Sequence, residues 1–284
     1  MNWEVQTMPS KTSFCNGTEF RKCLSRWWPL WVIYSVILFI LLPGVLLNAR
    51  TTTPYVTTPY VSTEQIGYLS NVILSETQML LPLTAFCAGL LAAAAMFGYL
   101  YTPRGAGLAA SLPIRRGCMF RTHLLAGLVM LLSAEAVIFG LAVLIEATRF
   151  GLVIEPLLTW LGILALETVV FYGIAVLCAM FTGHVVMLPC LYLLVNFIAV
   201  GFQLLIESVL YMFVYGMSGM VDLPVDWLSP LVLFMRRTSV GHADLVRPIS
   251  GTGAEVAIAN FSGWIYPLVW AVFALLLLVC AGQL

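Results

Sequence analysis

Residues 158–211 read LTWLGILALETVVFYGIAVLCAMF, then Thr182-Gly183-His184, then VVMLPCLYLLVNFIAVGFQLLIESVLY. Each apolar run exceeds the ~20 helical residues needed to cross a hydrocarbon core of ~30 Å. No lysine or arginine interrupts either one. The three residues between them leave room only for a tight turn. Gly183 suits a helix C-cap there, so the pair reads as an antiparallel helical hairpin inside a membrane. Four more stretches of the same kind, 28–47, 79–99, 124–147 and 264–282, bring the expected spans to six, with 158–181 and 185–211 as the fourth and fifth. The expected fold class is an all-α membrane protein, with a cytoplasmic N-terminus over residues 1–27 and a six-span transmembrane domain over 28–284.

Composition agrees with that reading. Hydrophobic residues make up 61% of the 284 and charged residues 9%, against roughly 45–50% and about 25% in soluble domains. Thirteen basic and 13 acidic residues cannot solvate a surface of this size unless most of the chain faces lipid. The net charge is zero, which argues against a nucleic-acid partner. The first span is no signal peptide, because a charged amphipathic segment precedes it and no small-residue cleavage site follows.

Basic residues set the expected orientation. Lys11, Arg21, Lys22 and Arg26 precede the first span, and Arg104, Arg115, Arg116 and Arg121 lie between the second and third. The opposite side holds Arg50, Arg149 and the three arginines of residues 212–263. Both termini are therefore expected in the cytoplasm. The outer loops differ in character. Residues 51–63, TTTPYVTTPYVST, repeat a Thr-Pro-Tyr-Val unit whose proline and β-branched residues favour an extended path. That path is open to two readings, a solvated linker or a binding lip. Residues 222–235, DLPVDWLSPLVLFM, are apolar but proline-broken. They read as short helices at the outer leaflet that cap a pathway or pad the bundle.

Several chemistries are excluded by what the sequence lacks. Its only lysines are Lys11 and Lys22, and neither follows the glycine-rich loop in which a Walker lysine neutralises nucleotide phosphates. His123, His184 and His242 are far apart and no C-x-x-C pair occurs, so no metal spacing is visible. The seven cysteines, all in apolar or cytoplasmic segments, are expected as free thiols.

Two segments carry candidate mechanism. In FCNGTEFRKCLSRWW (residues 14–28), Phe20, Leu24 and Trp27 recur on one helical face while Arg21, Lys22 and Arg26 point elsewhere. Such a basic helix is expected to lie in the interface, aromatics in lipid and cations at anionic headgroups. The connection between spans two and three contains TPRGAGLAASLPIRRGCMFRTH, longer than the usual 4–6 residues. Ser111 can cap a short helix whose next turn begins near Pro113, from which Arg115, Arg116 and Phe120 project. The resulting basic, partly apolar knob could meet lipid headgroups or a groove on a partner.

These two motifs, KTSFCNGTEFRKCLSRWWPLW and SLPIRR…F, together with the six-span count, resemble the permease subunits of type-2 ATP-binding-cassette (ABC) exporters. The resemblance is closest to Gram-positive bacterial permeases that work with a separate ATPase, and it covers most of the chain in outline. It implies that Phe20, Leu24 and Trp27 form the lipid face of an elbow helix carrying Arg21, Lys22 and Arg26. It also implies that Ser111, Leu112, Pro113, Ile114, Arg115, Arg116 and Phe120 form the coupling helix that docks on the ATPase, and that the helices before the last span cap the pathway outside. The implied protein is a non-catalytic subunit of a bacterial plasma membrane. It would pair with a second permease, identical or related, and with a separate ABC ATPase chain. ATP and magnesium belong to that partner, and no cofactor or metal to this chain. Family members usually continue into a basic tail after the last span, whereas this sequence stops at Ala281-Gly282-Gln283-Leu284.

Four glutamates, Glu135, Glu146, Glu167 and Glu207, fall inside expected spans, where each costs about 2.5–3.5 kcal/mol by insertion scales. Glu135 and Glu146 share a face of span three, and Asn196, Gln203 and Glu207 share a face of span five. One reading is a substrate path that recognises cationic or amide-rich cargo. The other is that protonated carboxyls hydrogen-bond between helices and hold the bundle together. Small residues Ala88, Ala92 and Ala95, with Gly89 and Ala93, mark a close-packing face of span two. An intramembrane enzyme would need a catalytic motif such as H-E-x-x-H or G-x-S-x-G, and none accompanies the glutamates. The competing function is an ATPase-linked sensory or immunity protein for cell-wall antibiotics that does not itself transport.

Overall fold

The computed structural model describes residues 17–48, 80–111, 116–149, 154–213, 226–237, 239–241, 246–248, 255–257, 260–262 and 264–281. The repeat at 51–63, the docking residues Leu112, Pro113, Ile114 and Arg115, and the side chain of Glu146 lie outside what is described.

The described chain is nearly all helical, and five of its helices are long and apolar enough to cross a membrane. After the amphipathic helix α1 (Gly17–Arg26), the first of these runs Trp28–Leu47 in two pieces, α2 (Trp28–Leu41) and α3 (Pro43–Asn48). The break falls where Pro43 removes a backbone donor. Bonds from Leu42 N–H to Leu38 O (3.0 Å) and from Leu46 N–H to Leu42 O (3.1 Å) carry the ladder across it. The second is α4 (Leu80–Phe97) with a 3₁₀ turn, Gly98–Tyr101, and leads into the short α5 (Pro103–Ser111). The remaining three are α6 (Arg116–Arg149), α7 (Ile154–Phe181) and α8 (Met187–Phe213). Each lies on an expected span. The sixth stretch forms a shorter apolar helix, α10 (Ile265–Ala281), of 17 residues.

The helix that carries the third span extends past it. The expected third span begins at residue 124, but α6 starts at Arg116 and is 34 residues long. At 1.5 Å per residue that is about 51 Å, well beyond a ~30 Å hydrocarbon core. Hydropathy senses only the part that lipid covers. Between α8 and α10, the expected short helices are present as a 3₁₀ turn, Asp226–Leu228, and α9 (Pro230–Arg237). Four short strands follow that the all-α reading did not include: β1 (Ser239–Gly241), β2 (Val246–Pro248), β3 (Glu255–Ala257) and β4 (Asn260–Ser262). They pair antiparallel as a nested hairpin, Ser239 opposite Ser262 outside and Val246 opposite Ala257 inside.

Helix α7 is the axis of the bundle, packed by α4, α10 and α6, with α2 on α6 and α8 at the periphery. The expected small-residue face makes the tightest seam. A Cβ at Gly89 would lie 2.8 Å from Tyr172 N and 2.9 Å from Phe171 C, so only glycine lets α4 approach the α7 backbone this closely. Around that seam, Phe86 stacks on Tyr192 (4.6 Å between centroids) and meets Phe171 edge-on (5.7 Å). Outward faces are apolar instead of polar: Ile40, Leu144, Phe202 and Ile265 are each 60% exposed or more. A soluble protein rarely shows such a surface, whereas lipid covers it at no cost.

Candidate functional site

Helix α1 has the expected amphipathic pattern, and its apolar face also meets protein. Phe20, Leu24 and Trp27, expected in lipid, are half-buried against the protein core, where α1 packs on α6. The reason is that α6 projects beyond the apolar zone and offers α1 a protein surface to cover. Arg21, Lys22 and Arg26 remain exposed. Lys22 Nζ bonds Glu19 Oε1 at 2.9 Å, and the Arg26 guanidinium lies 5.8 Å from the Trp27 ring. Burial, followed by the nearby Glu19 carboxylate, pushes the Cys23 thiol on the same helix above its ordinary value.

The connection between the second and third long helices divides differently from the sequence reading. Ser111 is the last described residue of α5, Pro103–Ser111, and the turn it was expected to cap lies outside the described residues. Arg116 is the exposed first residue of α6. Phe120 does not project: it is 7% exposed and meets Phe97 at 5.7 Å between centroids. One turn into α6, its ring faces back toward α4. Of the seven expected docking residues, Ser111 and Arg116 are therefore the described ones on an exposed surface.

The intramembrane carboxyls fall into two separate places. On α6, Glu135 is fully buried, and its Oε1 accepts hydrogen bonds from Tyr34 Oη on α2 (2.9 Å) and Thr168 Oγ1 on α7 (2.6 Å). One oxygen thus ties three helices. Glu167, next to Thr168, is also fully buried and within electrostatic reach of Glu135. Neither of its oxygens meets a hydrogen-bond partner among the described residues, nor does Glu135 Oε2. Interhelical bonding of carboxyls therefore describes Glu135 and not Glu167. The sequence signal for Tyr34 was missed: a phenol in an apolar span needs an acceptor when buried, and the glutamate supplies one. Two residues before Glu135 on α6, Ser133 Oγ accepts from Trp31 Nε1 at 3.1 Å on the same α2–α6 seam.

The second place is the inward stripe of α8. Leu188, Tyr192, Asn196, Ala199 and Gln203 are its buried positions, with Asn196 and Gln203 on one face as their spacing predicted. The polar groups bond within their own helix. Asn196 Nδ2 donates to Tyr192 O at 2.9 Å and Gln203 Nε2 to Glu207 Oε1 at 2.7 Å, and Asn196 Oδ1 meets no partner among the described residues. Tyr192 Oη ties the helix to α4 through Phe86 O (3.1 Å), and Ser229 Oγ accepts from Val200 N–H at 3.3 Å. Helices α6 and α8, which carry the two stripes, form no extensive seam among the described residues. Glu135 Oε1 is bonded from α2 and α7, while the α8 stripe faces α4 and α9.

Among the described residues no group of three His, Cys, Asp or Glu side chains is arranged to hold a metal. The arrangement offers buried hydrogen-bond acceptors, a basic helix at one end of the bundle and an exposed arginine at the start of its longest helix. Neither a protein-family model nor a curated protein sequence matches this chain.

Proposed function

We propose that this chain is the six-span permease subunit of an ATP-driven ABC exporter, working with a separate ATPase chain and a second permease in a bacterial plasma membrane. Both termini face the cytoplasm, and α10 is the sixth crossing. The observation that best supports the reading is the start of α6. The exposed Arg116, which follows the short α5 in the chain, begins a rigid rod of about 51 Å. A push delivered there moves the whole rod, and with it Glu135 and the two helices bonded to it, as in rigid-body rocking of transporter halves. The ATP must be hydrolysed elsewhere, since the sequence lacks a Walker lysine. The cargo path is assigned to the α8 stripe, where Gln203 and Glu207 form a polar pair on the helix that lies at the bundle's edge.

The test is charge reversal at the start of α6. Arg115→Glu with Arg116→Glu should reduce ATPase captured with the tagged chain at least ~10-fold, by like-charge repulsion at a docked surface, while membrane-inserted protein stays constant. Undiminished capture would remove these two arginines from the docking surface.

A further inference from the structure

A cavity of about 1080 Å³ opens where α1 overhangs the C-terminal end of α4 and the N-terminal end of α6. Its α1 wall carries Arg21, Lys22 and Arg26, three cations against the single carboxylate of Glu19. Lys22 is engaged by that carboxylate, and Arg21 has no ion-pair partner among the described residues. The opposite wall is mostly apolar, with Ala94, Ala95 and Met96 on α4 and Met119 on α6, beside the polar side chains of Tyr99, Thr102 and His123. Gly98 lies on the floor, where an added Cβ would meet nothing within 4 Å.

Three ends of the bundle's long helices meet here: the start of α2 just after α1, the end of α4 and the start of α6. In a membrane that is headgroup depth, because the apolar spans begin at this level. A cationic wall facing an apolar wall at that depth suits an amphiphile whose head is anionic and whose tail is hydrocarbon. A soluble phosphate would use the arginines but leave the apolar wall unoccupied. We propose that this cavity binds an anionic phospholipid, its phosphate held by Arg21 and Arg26 and its acyl chain entering along Ala94, Ala95 and Met119. The lipid acts as a wedge between α1 and the bundle and fixes the angle at which the chain enters the membrane. This holds whether or not the chain is a permease.

Native mass spectrometry of the full chain in mild detergent, titrated with phosphatidylglycerol and separately with phosphatidylcholine, reads the site directly. The wild type should retain phosphatidylglycerol about thirty-fold more tightly than phosphatidylcholine, the preference two cations near the surface confer. Arg21→Ala with Arg26→Ala should erase the preference, and Arg21→Lys with Arg26→Lys should keep most of it. Gly98→Leu, which puts a side chain on the cavity lining and leaves every charge in place, should also weaken phosphatidylglycerol retention. Equal retention of the two lipids, or retention unchanged by either the alanine pair or Gly98→Leu, would overturn the site. Displacement of phosphatidylglycerol by inorganic phosphate at equal concentration would assign the arginines to a soluble anion and overturn the lipid.

Discussion

Gly89→Leu should abolish recovery of folded protein, and Gly89→Ala alone should cost about 1–3 kcal/mol, a fall in thermal midpoint of roughly 2–12 °C. The atoms a side chain would strike are Tyr172 N and Phe171 C, both backbone, so no rotamer change relieves the clash. Relief requires α4 to move off α7, the helix that also carries α6 and α10. The damage therefore spreads beyond one contact. Gly140→Ala is the matched control, since a Cβ there meets nothing within 4 Å. It should be silent or raise the midpoint, because alanine is the better helix former by about 1 kcal/mol. Thermal unfolding in one detergent, followed by tryptophan fluorescence, compares the two. Equal effects at both positions would mean that the α4–α7 seam is looser than described.

Two buried glutamates should respond to the same substitution with opposite signs. Glu135→Met removes the acceptor shared by Tyr34 and Thr168 and strands two buried hydroxyls, each at about 1–3 kcal/mol. Glu167→Met removes a carboxyl that no described group satisfies and substitutes a side chain of similar length. Exchanging an unsatisfied buried polar group for an apolar one of its own volume is neutral or stabilising, by as much as about 1–4 kcal/mol. The expected result is a lower thermal midpoint for Glu135→Met and an unchanged or higher one for Glu167→Met. If Glu167→Met also impairs activity in cells, the residue is held against its structural cost for function. A fall in midpoint at Glu167 equal to that at Glu135 would mean that its carboxyl is bonded after all.

Hydropathy and the lack of cations in the spans made the long helices legible, and five of them lie where they were expected. It could not say which neighbour each helix meets. Phe20, Leu24 and Trp27 show the consequence: amphipathicity identifies an apolar face, but lipid and the flank of α6 satisfy it equally. Phe120 was read as projecting from a short helix that begins near Pro113, yet it sits one turn inside the long helix that starts at Arg116. The small-residue run around Gly89 was readable because close approach leaves a compositional mark. Tyr34 and Thr168 were not, since partners 101 and 33 residues from Glu135 along the chain are joined only by packing. The strands between α9 and α10 are three residues each, too short for an alternation to register.

The most direct test of the permease account is purification of the tagged full chain from its native host in mild detergent, followed by identification of bound chains and an ATP-hydrolysis assay. The account predicts a separate ATPase chain in one-to-one amount with the permease and magnesium-dependent hydrolysis in the eluate. A chain recovered without any ATPase and without hydrolysis, while still folded and membrane-derived, would contradict it.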